Sequence, residues 1–363
     1  MESVIEQAPL DPHSATSRRV IARWVWRAIL VIVLVLVVWF ILLPQFAQVR
    51  PALDSLGHIS SPLLLVGLVL ELGSIACYSL LSRATLNPSS RPSYFTILRI
   101  DAATEGVNNA LPGGGPTSTA LKFRLLTVAG AQPANAVTGT TVEISTSVLT
   151  LGGMFGIAIA TAASAVQGNF AYVVAGIVVG GVAVLVTVGA ILLGETRDRT
   201  LATVERIVRP IPFISESAVV EFVGLLSDQL HEYRSSRRRL VIAIAWAASN
   251  WLLDAAALWV LIMAFGFTVD PRRLLVAYGL ACLVGLLPIT PGGLGIIEGV
   301  LIPALVGFGT PQGIALLGVL SWRLVQYWMP MPLAAAAYLS LRAGPLRQSR
   351  RVARAPKSDK VPA

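Results

Sequence analysis

Long apolar runs, separated by short basic connections, organise this chain. Six of them have the length of a membrane span: residues 24–43, 62–81, 134–163, 170–193, 240–265 and 314–341. A hydrocarbon core of about 30 Å takes about 20 helical residues, so each run predicts a transmembrane helix. Two further stretches lie between the second and third runs and between the fifth and sixth. They are too apolar for ordinary loops, and prolines and glycines interrupt them too often for ordinary spans.

The later stretch contains "LLPITPGGLGIIEG", residues 286–299, with two prolines, four glycines and one carboxylate, Glu298. The earlier one contains "NNALPGGGPTSTALKFRLL", residues 108–126. Both have an apolar lead, a Pro-Gly-Gly core, a helical run of about fifteen residues and a glycine-rich turn. A proline then starts the next span, Pro133 in one case and Pro311 in the other. Proline is tolerated there because its missing N–H has no partner in the first turn.

Composition agrees with a polytopic membrane protein. The 363 residues are 55% hydrophobic and 13% charged, with a mean hydropathy of +0.73; soluble domains average about 25% charged. The formal charge of +9 is distributed between the apolar runs. That placement sets topology and favours anionic lipid surfaces, and it excludes nucleic acid as a partner. Cys77 and Cys282 lie inside apolar segments, where a thiol acts as a small hydrophobe. His13, His58 and His231 are far apart, so no metal-ligand spacing exists and no cofactor is expected. The first run reads as a signal anchor, since it has spanning length and no small-residue cleavage site follows it.

Lys and Arg orient the spans. Four segments are rich in them: the arm 1–23, the loop after the second run with Arg83, Arg91 and Arg99, the segment 195–239, and the tail 342–363. These belong in the cytoplasm, which puts both termini inside a plasma or inner membrane. Of the opposite loops, only the one holding Asp270, Arg272 and Arg273 carries a basic pair. With both ends inside, the number of crossings is even. Each interrupted stretch must then return to the face it entered from, the first from the cytoplasm and the second from outside. The expected fold is all-α: six transmembrane helices plus two re-entrant helical hairpins in inverted repeats, a plan common in secondary transporters. It fills residues 24–341, with 195–239 as a cytoplasmic amphipathic segment and 342–363 as a basic disordered tail.

The chain resembles the lysylphosphatidylglycerol synthase transmembrane-region family, also called flippase-like, from about residue 27 to 342. The resemblance rests on "PITPGGLGIIEG" followed by "VLSWRLVQYWMP", and on "NNALPGGGPTSTALKFRLL" with "TTVEISTSVL". Members often carry Arg directly after the position of Glu143, where this chain has Ile144. The resemblance implies a membrane part that moves aminoacylated phosphatidylglycerol between leaflets. The aminoacyl transfer belongs to a separate soluble domain, and about twenty residues after the last span are too few for one. No lysyltransferase activity is expected.

Candidate site residues follow from the breaks and the charges. Non-helical backbone at membrane depth must face protein or a wet cavity. At the first turn these are Asn108, Asn109, Gly113, Gly114 and Thr117, with Pro116 placed at a first helical position and the Thr117–Thr119 hydroxyls as caps. At the second they are Thr290, Gly292 and Gly293. Bare N–H groups at both helix starts offer phosphate seats; the alternative is that the glycines only permit close helix packing. Intramembrane ionisable residues are costly and usually functional: Glu143, Asp254, Glu298 and Arg323, with Gln326 nearby. Lys122 and Arg124 either neutralise a lipid phosphate or snorkel to the cytoplasmic face. Asp101 and Glu105 share one helical face, lining a wet vestibule, with Arg99 on the same arm. An ion pair of Arg323 with Glu298 or Glu143 is the structural alternative.

Together these predict translocation of an anionic or modified phospholipid, or another lipid phosphate, between leaflets. An enzyme acting on a lipid head group, with Glu143 or Glu298 as base, is the second reading; a non-transporting accessory subunit is the third. Membrane phospholipids are the expected partners. A cytoplasmic protein at 195–239 and a second copy of the chain are further candidates.

Overall fold

The computed structural model describes residues 60–111, 114–162, 237–286 and 290–343. The predicted spans at 24–43 and 170–193, the segment 195–236 and the tail from 344 lie outside the described residues. Every regular element among the described residues is helical: α1 (Ser61–Thr85), α2 (Tyr94–Ala110), α3 (Gly114–Val128), α4 (Pro133–Ala162), α5 (Arg237–Met263), α6 (Pro271–Gly285), α7 (Ile296–Gly307), α8 (Gln312–Arg323) and α9 (Pro330–Ala343).

Among the described residues, three helices are long and apolar enough to cross a membrane: Ser61–Thr85, Pro133–Ala162 and Arg238–Met263. They match the predicted second, third and fifth runs. Leu65, Val66, Val69 and Leu72 on α1, and Val241, Ile242, Ile244 and Leu252 on α5, leave their side chains uncovered. An apolar patch of that extent suits lipid rather than water.

The predicted last span departs from expectation. Its helical path is interrupted by a π turn over Leu324–Trp328, in which the Met329 N–H donates to the Leu324 carbonyl at 3.0 Å. Pro330 follows at once and has no N–H to give to the preceding turn. The wider turn absorbs that missing bond.

The helices α1 and α5 lie antiparallel along their whole length. The Ser60 N–H donates to Ala264 O at 3.0 Å, Ser74 and Asn250 exchange hydrogen bonds of 2.8 to 3.1 Å, and Leu81 packs with Ala243 at the far end. The approach is close because Gly67 has no side chain: a Cβ there would stand 2.7 Å from Leu261 Cδ2.

Two short helix pairs, α2–α3 and α6–α7, fold back on themselves. Their helices hold 17, 15, 15 and 12 residues. At 1.5 Å per residue they run about 18 to 26 Å, short of the hydrocarbon core. Each hairpin leans on the other half of the chain. Helix α2 packs on α9, where a Cβ on Gly106 would overlap Ala334 at 2.2 Å. Helix α6 packs on α4, where Gly279 receives Phe155. The main apolar core joins α5, α6, α7 and α8 through Leu258, Ile262, Tyr278, Leu301, Leu305 and Trp322.

Candidate functional site

Two buried cations mark the ends of the site. Lys122, on α3, is 4% exposed. Its Nζ lies 2.7 Å from Asp101 Oδ1 on α2, 2.6 and 2.8 Å from the two Glu143 oxygens on α4, and 2.8 Å from Ser82 Oγ on α1. The Tyr78 ring lies 5.1 Å away. An ammonium has three donors, and here all three have protein acceptors. Lys122 therefore does not snorkel, and no donor is left over for a lipid phosphate. Arg124, one turn face away, is exposed.

The second cation, Arg323, closes α8 and is 2% exposed. Its Nε donates to Glu298 Oε1. One terminal nitrogen donates to Gln326 Oε1 at 2.8 Å, the other to Gly292 O at 3.1 Å. Tyr327 stacks under the guanidinium at 5.0 Å. Of the two predicted partners for Arg323 the structure selects Glu298; Glu143 belongs to Lys122 instead. The two locks are built in opposite sense. In the first the hairpin helix brings the cation, and in the second it brings the carboxylate.

The second hairpin's tip has little room for an anion. Glu298 reaches back to the Gly295 N–H at 2.6 Å, capping α7 with its own carboxylate. The Gly293 N–H donates to Thr290 O at 3.3 Å. A phosphate at this helix start would meet a fixed negative charge, so the glycines serve packing. Gly292 has φ +51, and a Cβ there would stand 2.6 Å from the Tyr327 ring and 2.7 Å from Asn109 Oδ1. Bare backbone lets the tip reach the end of α2. Asn109 holds the junction, its Nδ2 donating to Tyr327 O at 3.2 Å and its carbonyl accepting from Tyr327 Oη at 2.7 Å. Asn108 donates to Asn109 Oδ1 at 3.4 Å.

The first turn also differs from expectation. Helix α3 begins at Gly114, two residues before Pro116. Gly114 is needed for contact, since a Cβ would stand 2.4 Å from Asn108 O. Thr117 is exposed, and Ser118 donates back to Gly115 O at 2.9 Å instead of capping a free N–H. Gly113 lies outside the described residues. Thr290 Oγ1 is buried with no partner among the described residues.

Between these two locks lies a cavity of about 180 Å³. Four carboxyl side chains line it: Glu71, Asp101, Glu105 and Asp254. Ser74, Ser147, Asn250 and Gln326 add neutral polar groups, and Tyr78 and Trp251 add aromatic faces. Sequence reasoning placed Asp101 and Glu105 beside a wet space, and both line this one. Asp254 is fixed from behind by Tyr278 Oη at 2.6 Å and Trp322 Nε1 at 2.5 Å. Glu71, 3% exposed on α1, lines the cavity together with Asp254. Reading from sequence missed Glu71, although a single carboxylate in an apolar 25-residue helix is itself a signal. Outside the spans, Asp270 caps α6 and pairs with Arg272 at 2.9 Å. Hydrogen bonds from Arg272 hold its carboxyl below the usual range. Arg273 donates to Phe308 O at 3.2 Å. Both arginines of the loop that leads into α6 are thus engaged by protein.

Such a cavity is smaller than the roughly 300–1,000 Å³ of a whole-ligand pocket. Its charge and aromatic faces suit an ammonium-sized cationic fragment.

Residues 25–334 match the family model described as "Lysylphosphatidylglycerol synthase TM region". The chain belongs to this family. The matched span of the lysylphosphatidylglycerol synthase TM region includes both ion-pair locks and every residue of the cavity. Partial similarities extend to other membrane proteins. A UPF0104 membrane protein of Methanothermobacter thermautotrophicus is 28% identical over 115 residues, 30% of this chain and 34% of the relative. Another UPF0104 membrane protein, of Methanocaldococcus jannaschii, is 26% identical over 128 residues, 35% of this chain and 38% of the relative. The inner membrane protein YbhN of Escherichia coli is 30% identical over 92 residues, 25% of this chain and 28% of the relative. The aligned parts thus span roughly a third of these relatives' own length.

Proposed function

We propose that this membrane protein moves a phospholipid, or another lipid phosphate, whose head group carries an amine from one leaflet to the other. The observation that carries the reading is the acidic cavity lined by α1, α2, α4, α5 and the broken last helix. Lys122 and Arg323 are already neutralised by their partners. The remaining charge in the cavity is negative, which favours an ammonium over a purely anionic head group. The small volume admits the head group alone, leaving the acyl chains in the bilayer. In this reading the chain has six spans and two re-entrant hairpins in inverted repeats, both termini are cytoplasmic, and the antiparallel α1 and α5 are the corresponding spans of the two halves. A transporter also fits better than an enzyme: Glu143 and Glu298, the two candidate bases, are each held by a cation.

Leaflet exchange of labelled lipids in proteoliposomes tests this. Amine-bearing lipids should exchange faster than in empty vesicles and faster than phosphatidylglycerol. Glu105→Gln should slow exchange roughly ten- to hundredfold, the worth of one charge-assisted hydrogen bond of about 1.5–3 kcal/mol. Exchange no faster than in empty vesicles, or equal exchange of amine-bearing and anionic lipids, overturns the reading.

A further inference from the structure

We infer that Glu71 and Asp254 form an exchangeable proton site, which gives up its proton to the cavity when a cationic head group enters. The inference rests on the lipid-transport reading and names what drives it. Three observations carry it. First, the two carboxyl groups line the same cavity one helical turn beyond the Ser74–Asn250 hydrogen bonds of the antiparallel pair α1–α5, and are buried to 3% and 6% exposure. Two carboxyl groups buried side by side do not both stay ionised, so one holds a proton. Second, both oxygens of Asp254 already accept, from Tyr278 Oη and Trp322 Nε1. The proton therefore sits on Glu71. Third, Glu71 Oε2 is buried without a hydrogen-bond partner among the described residues and belongs to a cavity-lining side chain. An orphaned buried polar atom is costly, and a site that fills and empties explains it.

The surrounding charges support a single exchangeable proton. From α2 the pair faces Glu105 and Asp101, which line the same cavity, and Asp101 is held by Lys122 of α3. From α6 it faces Tyr278 and Cys282, and from α8 Trp322 and Arg323. Arg323 is bound to Glu298, so it does not neutralise the pair directly. The step balances simply. The Glu71 O–H bond breaks, the proton passes to cavity water, and the ammonium of the head group takes its place beside the two carboxylates. Departure of the ammonium lets water on the other side return a proton. One proton moves against one amine.

Two measurements decide this. Infrared spectra of the purified full chain in lipid nanodiscs should show a protonated-carboxyl band, lost in the Glu71→Gln/Asp254→Asn double variant. In proteoliposomes, a gradient of one pH unit should shift the steady-state leaflet ratio of an amine-bearing lipid by up to about tenfold. In Glu71→Gln the leaflet ratio should no longer respond to the gradient, whatever rate of exchange the variant keeps. A band unchanged in the double variant overturns the proton site, as does a gradient response identical in wild type and Glu71→Gln. If no lipid exchanges at all, the transport reading falls, while the infrared arm still decides whether the pair holds a proton.

Discussion

Replacing Lys122 by Met keeps the length of the side chain and removes its charge. In the native protein Nζ satisfies Asp101, Glu143 and Ser82 at 2.6 to 2.8 Å, all inside a 4%-exposed pocket. The variant would bury two carboxylates with no cation. Breaking a buried pair by removing one partner costs about 3–5 kcal/mol. Against a typical total of about 5–15 kcal/mol, that is a loss of roughly a fifth or more. It corresponds to a shift in the folding equilibrium of roughly a hundred- to a few thousandfold. Denaturant unfolding in detergent micelles, monitored by tryptophan fluorescence, reads this directly. The decisive comparison is the neutral triple variant Lys122→Met/Asp101→Asn/Glu143→Gln. It removes all three charges, so no ion is left uncompensated, and most of the stability should return. A single variant within about 1 kcal/mol of wild type would refute the reasoning. So would a triple variant no more stable than the single one.

Gly292→Ala forces a Cβ to within 2.6 Å of Tyr327 and 2.7 Å of Asn109, at a φ of +51 that favours glycine. It should separate the hairpin tip from α2 and cost about 1–3 kcal/mol, seen as a lower unfolding midpoint; an unchanged midpoint would show that the tip does not bear on α2. At Asp270, the Arg272 hydrogen bonds lower the folded pKa, so the stabilisation is present above the unfolded pKa of roughly 3.9 and fades as pH falls through the lower folded value. Unfolding midpoints followed downward from pH 6 should therefore drop less in Asp270→Asn, which keeps the cap, than in wild type.

The long elements were legible because they are simple: α1, α4 and α5 are apolar over 25 to 30 residues, and no other structure satisfies their backbone in lipid. The hairpins were legible from their Pro-Gly-Gly turns. Charge pairing was not, because it depends on how the hairpins fold back. Lys122 and Glu143 are 21 residues apart, and Arg323 and Glu298 are 25 apart; either carboxylate fitted Arg323 on paper. The break at Leu324–Trp328 escaped because an average over apolar residues passes across Pro330 without registering its missing donor. Glu71 escaped for the same reason, one carboxylate diluted among leucines and valines. Its meaning depends on Asp254, which only the packing of α1 on α5 brings near.

The opposite sense of the two ion-pair locks has a bearing on how the chain assembles. Suppose the hairpins docked in each other's places. Helix α3 would carry Lys122, with Asp101 of α2, to Arg323, leaving Arg323 without Glu298, and α7 would carry Glu298 to Glu143. The Glu143 socket would then hold two carboxylates without a cation in a water-poor interior, at a cost of several kcal/mol. The locks therefore act as keys, each hairpin fitting one half only. Two hairpins that share a Pro-Gly-Gly turn and similar length are told apart by charge during insertion, and so are the hairpins of neighbouring copies that could otherwise trade places.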